Sequence, residues 1–569
     1  MVDVVVTGTG GPVVVSASAA ARRDLSNVSD EVFAEKAAQA GIGVALWPTS
    51  VRADGSTNDR AAWTAFLADA ANTTRDLPAG TTRIVLGSGQ ALSLPAGLTL
   101  RGQGAGKTIL RLETTTNGQS ALLQTGVGVR FEDLTLHLVP ASGTTGVLID
   151  WRLDELSFHR CTLSGQTTLA GDGVNFTRSA QGIKFRETGS QAGLSVTECD
   201  LTGFKFPFLK SNAATGAQSR IRIAGCHAYA NWSEDISINS PAGLLDDVLI
   251  DGNTVDSPLR VPGAARLGIA IATGSNCKIV HNTINGDFQD AIHIEEAIDG
   301  LLIQGNSGTV SGNGIFVLEN NIGGAHHTPK RALICDNTFK YTGLGTTHIG
   351  LQVVWSAITS SLDKSVIRGN LLEGFPVGME DGVTPEAYVE RSGNQAVNCT
   401  TGFRLVYGGR SFRDNTSVSC SVGLLGERAT SLRHTFVDCA TSVSKSASGS
   451  PVVTYDPTFV YRGVIPTAGG VVAGAMMRLF GSDRADFTEA RAVIRQQGSS
   501  VDVAERRFSE VSWDGTTLNV TSAFNYIAGS VNVGLQNPGG ILSPVTSDTD
   551  NSGALATVEV ELRGCYIRG

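Results

Sequence analysis

The most regular feature of this chain is a short β-type phrase that recurs from about residue 130 onward. In each copy, apolar and polar positions alternate, and a small or polar residue marks a turn inside the phrase. Alternation with a period of two is typical of strands with one buried face. The markers lie roughly 20 to 40 residues apart, a period that indicates stacked β coils. The marker positions are Asp133, Cys161, Cys199, Cys226, Asn253, Asn282, Asn306, Asn337, Asn370, Asn394, Asn415 and, less regularly, His434.

This periodicity predicts an all-β protein built around a right-handed parallel β-helix. Each coil carries several short strands, and equivalent positions of successive coils stack ~4.8 Å apart. Asparagine amides at one recurrent corner are expected to hydrogen-bond up and down the stack, while free cysteines fill the same space as small apolar residues. Leucine-rich, ankyrin and tetratricopeptide signatures are absent from the sequence, and a β-propeller would need a more regular period.

The segments on either side of the repeats have different patterns. At the start, apolar residues around positions 4–6 and 13–15 predict a hairpin, and a cap at Ser29 predicts a short helix over about 30–40. Trp63, Phe66 and Leu67 predict an amphipathic helix from about Asn58 to Ala71 that covers a core. Beyond about 450 the repeats give way to alternating runs separated by turn residues, which predict a β-sandwich-like domain. The predicted domains are therefore 1–50, 51–450 and 451–569.

Composition narrows the class of protein. The 569 residues have a net charge of −9 and only 17% charged residues, with 68 glycines. A nucleic-acid-binding protein would more often be basic, so no nucleic-acid partner is expected. No run of 18 apolar residues and no basic n-region occur, so neither membrane insertion nor a signal peptide is expected. The 9 cysteines form no C-x-x-C pair and are expected to be free, buried thiols.

Residues 51–102 resemble the opening of the pectate-lyase-like β-helix superfamily. The motifs that carry the resemblance are the run from Ala53 to Asp59, the helix with Trp63 and Phe66, the phrase Leu77-Pro78-Ala79-Gly80, and the strand and turn from Leu98 to Gly104. Residues 24–43 resemble a segment near the start of bacteriophage tail fibres and tailspikes. Taken together, the chain resembles a phage tailspike depolymerase.

That resemblance implies a homotrimer in the virion that binds and cleaves a bacterial surface polysaccharide. It also implies that residues 1–50 attach the protein to a phage tail or baseplate protein, or cap the β-helix. The C-terminal domain would serve trimerisation or receptor binding. The protein would be made in the cytoplasm of the infected cell.

One coil carries most of the acidic side chains that could support glycosidic hydrolysis. Hydrolysis normally uses two carboxyl groups, one protonated and one ionised. Asp287, Asp290, Glu295 and Glu296 lie close together, and Glu319 aligns above Glu296 on the next coil. Crowding is expected to raise the pKa of at least one of these carboxyls. The phrase Asp290-Ala291-Ile292 also resembles the Asp-x-Ile phrase of polygalacturonase-like β-helix hydrolases.

The alignment of these phrases predicts which side chains point inward. Ile292 and Ile294 should face the core, with their counterparts on the next coils, Ile315, Val317, Leu351 and Val353. His293, Glu295, Phe316 and Gln352 should face outward. All acids of the cluster could equally be solvated surface residues.

A second acidic pair, Glu234 and Asp235, follows Trp232. An indole beside carboxylates is a common platform for stacking sugar rings. Trp355, His293, Gln352 and Arg260 complete the predicted substrate-binding residues. The same tryptophans could instead fill the wall of the helix or a subunit contact, and His293 could be an ordinary surface residue.

The predicted function is therefore depolymerisation of a capsule, exopolysaccharide or O-antigen by glycosidic hydrolysis with paired carboxylates. One alternative is a polysaccharide lyase that acts by β-elimination on a uronic acid polymer, for which Arg260, Arg266 and Lys278 would be the basic residues. Another is a non-catalytic host-binding adhesin. No cofactor and no metal site are expected for the hydrolase, whereas the lyase would call for Ca²⁺.

Overall fold

A computed structural model defines most of the chain. The structure describes residues 2–8, 11–17, 51–68, 73–170, 175–186, 188–209, 216–239, 245–256, 266–318, 320–322, 325–327, 330–354, 364–382, 389–405, 412–426, 430–445, 452–466, 477–478, 484–496, 502–513, 518–527, 531–536, 541–548 and 555–568. The chain divides into two compact units, one running to Asp235 and one beginning at Ile236. Predicted domain borders at 50 and 450 stay predictions.

The predicted N-terminal hairpin is confirmed, with Val2–Gly8 antiparallel to Gly11–Ala17. The second predicted helix is also confirmed, over Arg60–Ala68. Its start is held by Asn58, whose Oδ1 accepts the Arg60 N–H at 3.2 Å. Trp63 is fully buried and donates its indole N–H to the Thr82 hydroxyl at 3.0 Å. The helix predicted over 30–40 lies outside the described residues.

The first unit is a stack of parallel coils, each with up to three strands, which form sheets A, B and C. Neighbouring strands within each sheet pair in parallel register. The strands of sheet A are Leu92–Leu94, Gln119–Gln124, Thr144–Trp151, Phe176–Phe185 and Phe206–Leu209, with Thr168–Leu169 antiparallel to Phe176–Phe185. Sheet B contains Thr74–Asp76, Thr99–Arg101, Val129–Glu132, Leu156–His159, Gln191–Thr197 and Gln218–Ala224. Sheet C contains Asp54–Asn58, Gly80–Leu86, Thr108–Thr114, Thr135–Pro140, Thr162–Gly165, Asp200–Thr202 and His227–Tyr229.

The second unit repeats the same plan, and the strand Glu234–Asn239 spans the border between the units. Its sheet A contains Leu267–Val280, Asp290–Asp299, Asn313–Leu318, Ile349–Val354, Val377–Asp381, Thr401–Leu405, Val422–Gly426 and Thr441–Lys445. Sheet B contains Leu245–Asp251, the end of Leu267–Val280, Leu302–Gln304, Leu333–Cys335, Ser365–Arg368, Val389–Ser392, Phe412–Arg413 and Thr430–Leu432. Sheet C contains Thr254–Asp256, Thr283–Asn285, Ser307–Val310, Thr338–Tyr341, Leu371–Glu373, Gln395–Val397, Thr416–Val418 and Thr435–Val437. A hairpin, Asn320–Ile322 with Ala325–His327, projects after Asn313–Leu318.

The parallel register of these strands confirms the predicted fold class, a right-handed parallel β-helix. The inward alignment of the apolar positions is confirmed as well. Ile292 lies opposite Ile315, and Ile294 lies opposite Val317, with all four side chains fully buried. Among the described residues, no helix is long and apolar enough to cross a membrane.

The predicted asparagine ladder is confirmed at the corner between sheets B and C of the second unit. The Nδ2 of Asn282 donates to Asn306 Oδ1 at 2.9 Å, and Asn306 donates to Asn337 in the same way at 2.9 Å. The same hydrogen bond links the other neighbouring asparagines, each of which we call a rung of the ladder. Rung side chains such as Asn282 and Asn306 also donate to a backbone carbonyl of the preceding coil. The remaining rungs join Asn253 to Asn282, Asn337 to Asn370, Asn370 to Asn394 and Asn394 to Asn415.

Cysteines occupy the equivalent corner in the first unit. The backbone N–H of Cys161 donates to the Cys199 sulfur at 3.4 Å. All cysteines that the structure describes in these coils are buried, free thiols, which confirms the prediction for them. The ladder ends at His434, which is fully buried and whose ring packs on those of Phe412 and Phe436.

The described C-terminal strands form antiparallel sheets, which agrees with the predicted all-β character; a sandwich-like domain over 451–569 stays a prediction. Five long strands form one sheet, in the order Val452–Pro466, Leu555–Arg568, Arg484–Gln496, Asp502–Trp513 and Leu518–Ile527. A three-stranded sheet contains Met477–Arg478, Ile541–Asp548 and Val531–Gln536. Val452–Pro466 also pairs in parallel with Thr430–Leu432 and Thr435–Val437, so it closes the last coil of the β-helix.

Candidate functional site

On the outward face of sheet A in the second unit, five side chains from successive coils lie in register, four of them polar and one aromatic. His293 lies opposite Phe316, and Phe316 lies opposite Gln352. Gln352 lies opposite Glu380, which lies opposite Arg404. We call these five residues the outer row. Because coils stack ~4.8 Å apart, the row runs along the helix axis with about the repeat of a sugar chain.

At one end of the outer row, three ionisable side chains form a hydrogen-bonded chain. The Nδ1 of His293 lies 2.8 Å from Asp290 Oδ2, and its Nε2 lies 3.2 Å from Glu295 Oε1. Asn313, opposite Asp290 on the next coil, donates its Nδ2 to Asp290 Oδ1 at 2.7 Å. Exposure rises along the chain, with 1% of the Asp290 side chain, 11% of His293 and 40% of Glu295 accessible to solvent.

This geometry favours a charged His293. Each ring nitrogen faces a carboxyl oxygen, and an ionised carboxylate can only accept a hydrogen bond, so the arrangement suits a ring that carries a proton on both nitrogens. Burial by itself lowers the pKa of His293, but the hydrogen bonds and charges of Asp290 and Glu295 outweigh it and raise the pKa to about 9. His293 is therefore a buried imidazolium at neutral pH.

The same contact keeps Glu295 ionised. The hydrogen bond from His293 lowers the pKa of Glu295, against an opposing effect of partial burial. For this residue the pKa therefore moves in the opposite direction to the one expected from crowding of acids, because the imidazolium lies between the two carboxylates. Glu295 is thus a half-buried carboxylate that is ionised and open to solvent on one side.

Asp287 lies in the preceding turn and has its own partners. It forms an ion pair with Arg266 and accepts the Ser311 hydroxyl at 2.6 Å. Arg266 also donates to the Asp287 carbonyl at 2.8 Å. Asp287 and Asp290, two acids of the predicted cluster, are therefore held by different groups. Arg266, one of the basic residues that the lyase alternative would use, is held at this turn by its ion pair and hydrogen bond with Asp287.

The second predicted acidic pair lies at the end of the first unit. Asp235 is fully buried and accepts the Nδ2 of Asn231 at 2.8 Å, whereas Glu234 is partly exposed. Trp232 is partly exposed and its ring meets Phe176 edge-on, with centroids 5.9 Å apart. The Asp235 carboxylate therefore stabilises the turn that contains Trp232, by accepting the hydrogen bond from Asn231.

Several predicted site residues lie outside what the structure describes. Glu319, Trp355 and Arg260 fall outside the described residues, and for Glu296 the structure describes only the backbone, within Asp290–Asp299. Gln352 lies in the outer row as predicted, where its Nε2 donates to Glu380 Oε1 at 3.1 Å.

Other ionised residues on the same coils are not evident from sequence patterns. Glu380, 8% exposed, forms an ion pair with Arg404 in the outer row. Next to it, Asp381 forms an ion pair with Arg391 at 2.7 Å inside the β-helix, both nearly fully buried. The two partners lie on different sheets, so neither the period of two nor the marker positions bring them together. An acid at an inward position, Asp381 opposite Val353, is the one signal in the sequence that predicts a buried partner.

No group of three or more His, Cys, Asp or Glu side chains placed to hold a metal ion occurs among the described residues. Asp235, Asp287, Asp290 and Glu295 each have a hydrogen-bond or ion-pair partner from the protein.

No protein-family profile matches the chain, and no curated protein matches it. Several solved structures are similar to it. An α-1,3-glucanase catalytic unit from Streptomyces thermodiastaticus has 15% identity and a TM-score of 0.42, and the alignment covers 71% of this chain and 66% of that one. A double mutant of the tailspike of E. coli bacteriophage HK620 has 12% identity and a TM-score of 0.36, over 92% and 91% of the two chains.

An N-terminal fragment of gene product 12 of bacteriophage phi29 has 14% identity and a TM-score of 0.43, over 71% of each chain. The chain's own strand register and hydrogen-bond ladder establish the β-helix. The function proposed below rests on the chemistry of the outer row.

Proposed function

We propose that this protein is a phage tailspike that recognises and depolymerises a bacterial surface polysaccharide by glycosidic hydrolysis. The polymer would be a capsule, an exopolysaccharide or an O-antigen. The observation that carries the proposal is the Asp290–His293–Glu295 chain, which holds one ionised carboxylate on the outward face of the β-helix. That face also offers a ring, Phe316, beside it.

Glu295 has the properties of the ionised member of a glycosidase pair. Such a carboxylate either activates water or attacks the sugar carbon directly. His293 holds it in place, with ring nitrogen and carboxylate oxygen 3.2 Å apart, and keeps its pKa low. Asp290 is almost fully buried and acts as a positioning residue that orients the His293 ring, much as a buried aspartate orients histidine in a serine-protease triad.

The second member of the pair must be protonated when it meets the glycosidic oxygen. We assign this role to Glu319 or Glu296. Glu296 is next to Glu295 in the chain, and Glu319 directly follows Asn313–Leu318, the strand that pairs with that of Glu295. Phe316, adjacent to His293 with ring centroids 5.3 Å apart, is placed to stack on the apolar face of a pyranose.

The test is incubation of the purified protein with a panel of bacterial capsular, exopolysaccharide and O-antigen preparations. New reducing ends without the ultraviolet absorbance of an unsaturated uronate would support hydrolysis. New absorbance would identify the lyase alternative and overturn this assignment. If the protein binds some of these polysaccharides but cleaves none of them, the result would support the non-catalytic adhesin.

Site variants distinguish the proposed roles. We expect Glu295→Gln to reduce kcat by about 10³-fold or more, since it removes the ionised group. Asp290→Asn should reduce kcat by about 10²-fold, because the imidazolium loses its anchor. Glu373→Gln, on sheet C and paired with Lys340, is the matched control and should leave kcat unchanged. Full activity of Glu295→Gln would contradict the proposal.

We further propose that the protein is a homotrimer whose N-terminal segment attaches to a phage tail or baseplate protein. Sedimentation equilibrium would then give three chain masses at all concentrations used. A single chain mass would contradict the trimer without bearing on the hydrolase.

A further inference from the structure

On the first unit, Lys205 lies over the rings of Phe176 and Phe206, and Trp232 packs against Phe176. The proposed hydrolase site does not use these residues. The Nζ of Lys205 lies 4.9 Å from the ring centroid of Phe176 and 5.1 Å from that of Phe206. The ring of Trp232 packs edge-on against Phe176. All four side chains are partly exposed. We call them the lysine–aromatic cluster.

Buried polar groups hold this cluster rigidly. Asn231, fully buried, accepts the Phe204 N–H at 3.0 Å and donates to the Leu201 carbonyl at 3.0 Å. The backbone N–H of Trp232 donates to the Phe204 carbonyl at 2.9 Å, and the backbone N–H of Lys205 donates to the Ala180 carbonyl at 2.8 Å. The backbone on both sides of Lys205 is therefore tied to neighbouring coils, so the rings are placed before any ligand arrives.

Lys205 differs from three arginines of this unit, each of which forms an ion pair with a carboxylate. Arg152 pairs with Asp150, Arg160 with Asp133 and Arg220 with Glu155. Lys205 has no carboxylate partner within ion-pair distance among the residues that the structure describes. Its ammonium group faces ring π-systems, which attract a cation but carry no net charge to neutralise it.

We propose that the lysine–aromatic cluster binds an acidic sugar residue, one that carries a carboxylate. The apolar face of the pyranose stacks on Trp232 or a phenylalanine ring, and Lys205 Nζ donates to the carboxylate. Flat, partly exposed rings suit the C–H face of a sugar, and the unpaired ammonium group selects for negative charge. This inference deepens the proposed function, because it assigns the polysaccharide to the acidic, uronate-bearing class.

Binding and cleavage are measured separately, so the two proposals can fail independently. The probes are oligouronates of several kinds (galacturonate, mannuronate and glucuronate-containing oligosaccharides), each paired with its carboxyl-reduced, neutral form. Calorimetry on the full-length protein would measure Kd. We expect at least one acidic probe to bind, and its reduced form to bind about tenfold more weakly, since one charge-assisted hydrogen bond is lost.

Variants locate the effect. Lys205→Gln should weaken binding of the acidic probe by about tenfold and leave that of the reduced probe unchanged. Trp232→Ala should weaken both. Lys107→Gln, an exposed lysine on a turn of the same unit, is the matched control and should change neither.

Three results would overturn the inference: no acidic probe binds, acidic and reduced probes bind equally, or Lys205→Gln weakens both forms to the same extent. Probe binding that depends on Lys205 in a protein that cleaves no polysaccharide would support this inference and contradict the proposed hydrolase.

Discussion

At the scale of single residues, His293 connects two carboxylates that differ in exposure. Asp290 is almost fully buried, and an isolated buried carboxylate would be strongly destabilising. Asn313 and His293 satisfy its two oxygens with bonds of 2.7 and 2.8 Å. The imidazolium in turn acts on the more exposed Glu295. The contact of His293 with the buried Asp290 therefore also lowers the pKa of the more exposed Glu295, through the hydrogen bond from the same ring.

The pKa of His293 gives a testable pH dependence. It is about 9 in the folded protein against 6.5 for an ordinary histidine. A raised pKa means that protonated His293 stabilises the fold fully below pH 6.5, and that this contribution disappears as the pH rises through 9. The free energy of unfolding of the wild type, minus that of His293→Gln, should therefore fall by about 3 kcal/mol across that window.

Urea unfolding at a series of pH values measures this difference. A pH-independent difference between wild type and His293→Gln would contradict the imidazolium. So would an imidazole NMR titration of His293 centred near its ordinary value.

At the scale of elements, the asparagine ladder determines how coils of unequal length stack in one register. Each inner asparagine accepts from the asparagine of the coil before it and donates to the asparagine of the coil after it. The residue just before each rung adopts a positive φ, as in His281 and Asp336, which turns the chain sharply at this corner. Only such a tight turn points every amide inward along one line.

Removal of one rung should be costly. Asn337 accepts two bonds from Asn306, at 3.0 and 2.9 Å, and donates its amide to Asn370 and to the Ile303 carbonyl. Asn337→Ala leaves these buried groups unpaired and should lower the free energy of unfolding by about 3 kcal/mol. Asn285→Ala, which loses one exposed bond to Thr309, should cost less than about 0.5 kcal/mol. Equal effects in chemical denaturation would contradict the ladder's role.

The end of the ladder should be sensitive to acid. His434 is fully buried, and burial lowers its pKa to about 3. Between pH 6.5 and 3, the unfolded chain binds a proton at His434 that the folded chain does not bind. The free energy of unfolding therefore decreases as the pH falls across this range.

His434→Asn, which extends the ladder but loses ring packing on Phe436, should be less stable than the wild type at neutral pH. The difference should narrow as the pH falls through this window. Thermal unfolding at several pH values measures it, and a constant gap would show that His434 does not titrate in the folded state.

At the scale of the whole molecule, a parallel β-helix must cover the open edges of its last coil. Val452–Pro466 does this by pairing with two strands of that coil on one side and with Leu555–Arg568 on the other. Phe459 continues the internal aromatic stack, with its ring 5.0 Å from that of Phe436. The C-terminal part is therefore joined to the β-helix by both backbone and core.

Phe459→Ala should weaken this closure. We expect a loss of about 3 kcal/mol in the free energy of unfolding, and increased light scattering on heating, because uncovered strand edges associate. Thr458→Ala, on the same strand but partly exposed, should have little effect on either measurement. Unchanged scattering in Phe459→Ala would indicate that this strand does not protect the last coil.

The sequence alone predicts much of the fold and part of the candidate site. The recurring corner residues predict the coils, and the alternation around Ile292 and Ile294 places His293 and Glu295 outward, as observed. Periodicity does not predict that His293 is buried between two carboxylates, because solvent exposure on the outward face depends on what neighbouring coils place beside it. Nor does it predict the Glu380–Arg404 pair, whose members belong to different coils of unequal length.

The sequence by itself therefore determined the β-helix, the line of asparagines and the inward or outward sense of each strand position. These follow from a local period and from the fixed spacing of stacked coils. Only the tertiary structure decided the charge state of His293, the partner of Asp287 and the buried pairing of Asp381 with Arg391. Those properties depend on distances between side chains far apart in the chain, and the Coulomb energy that sets them changes steeply with separation and burial.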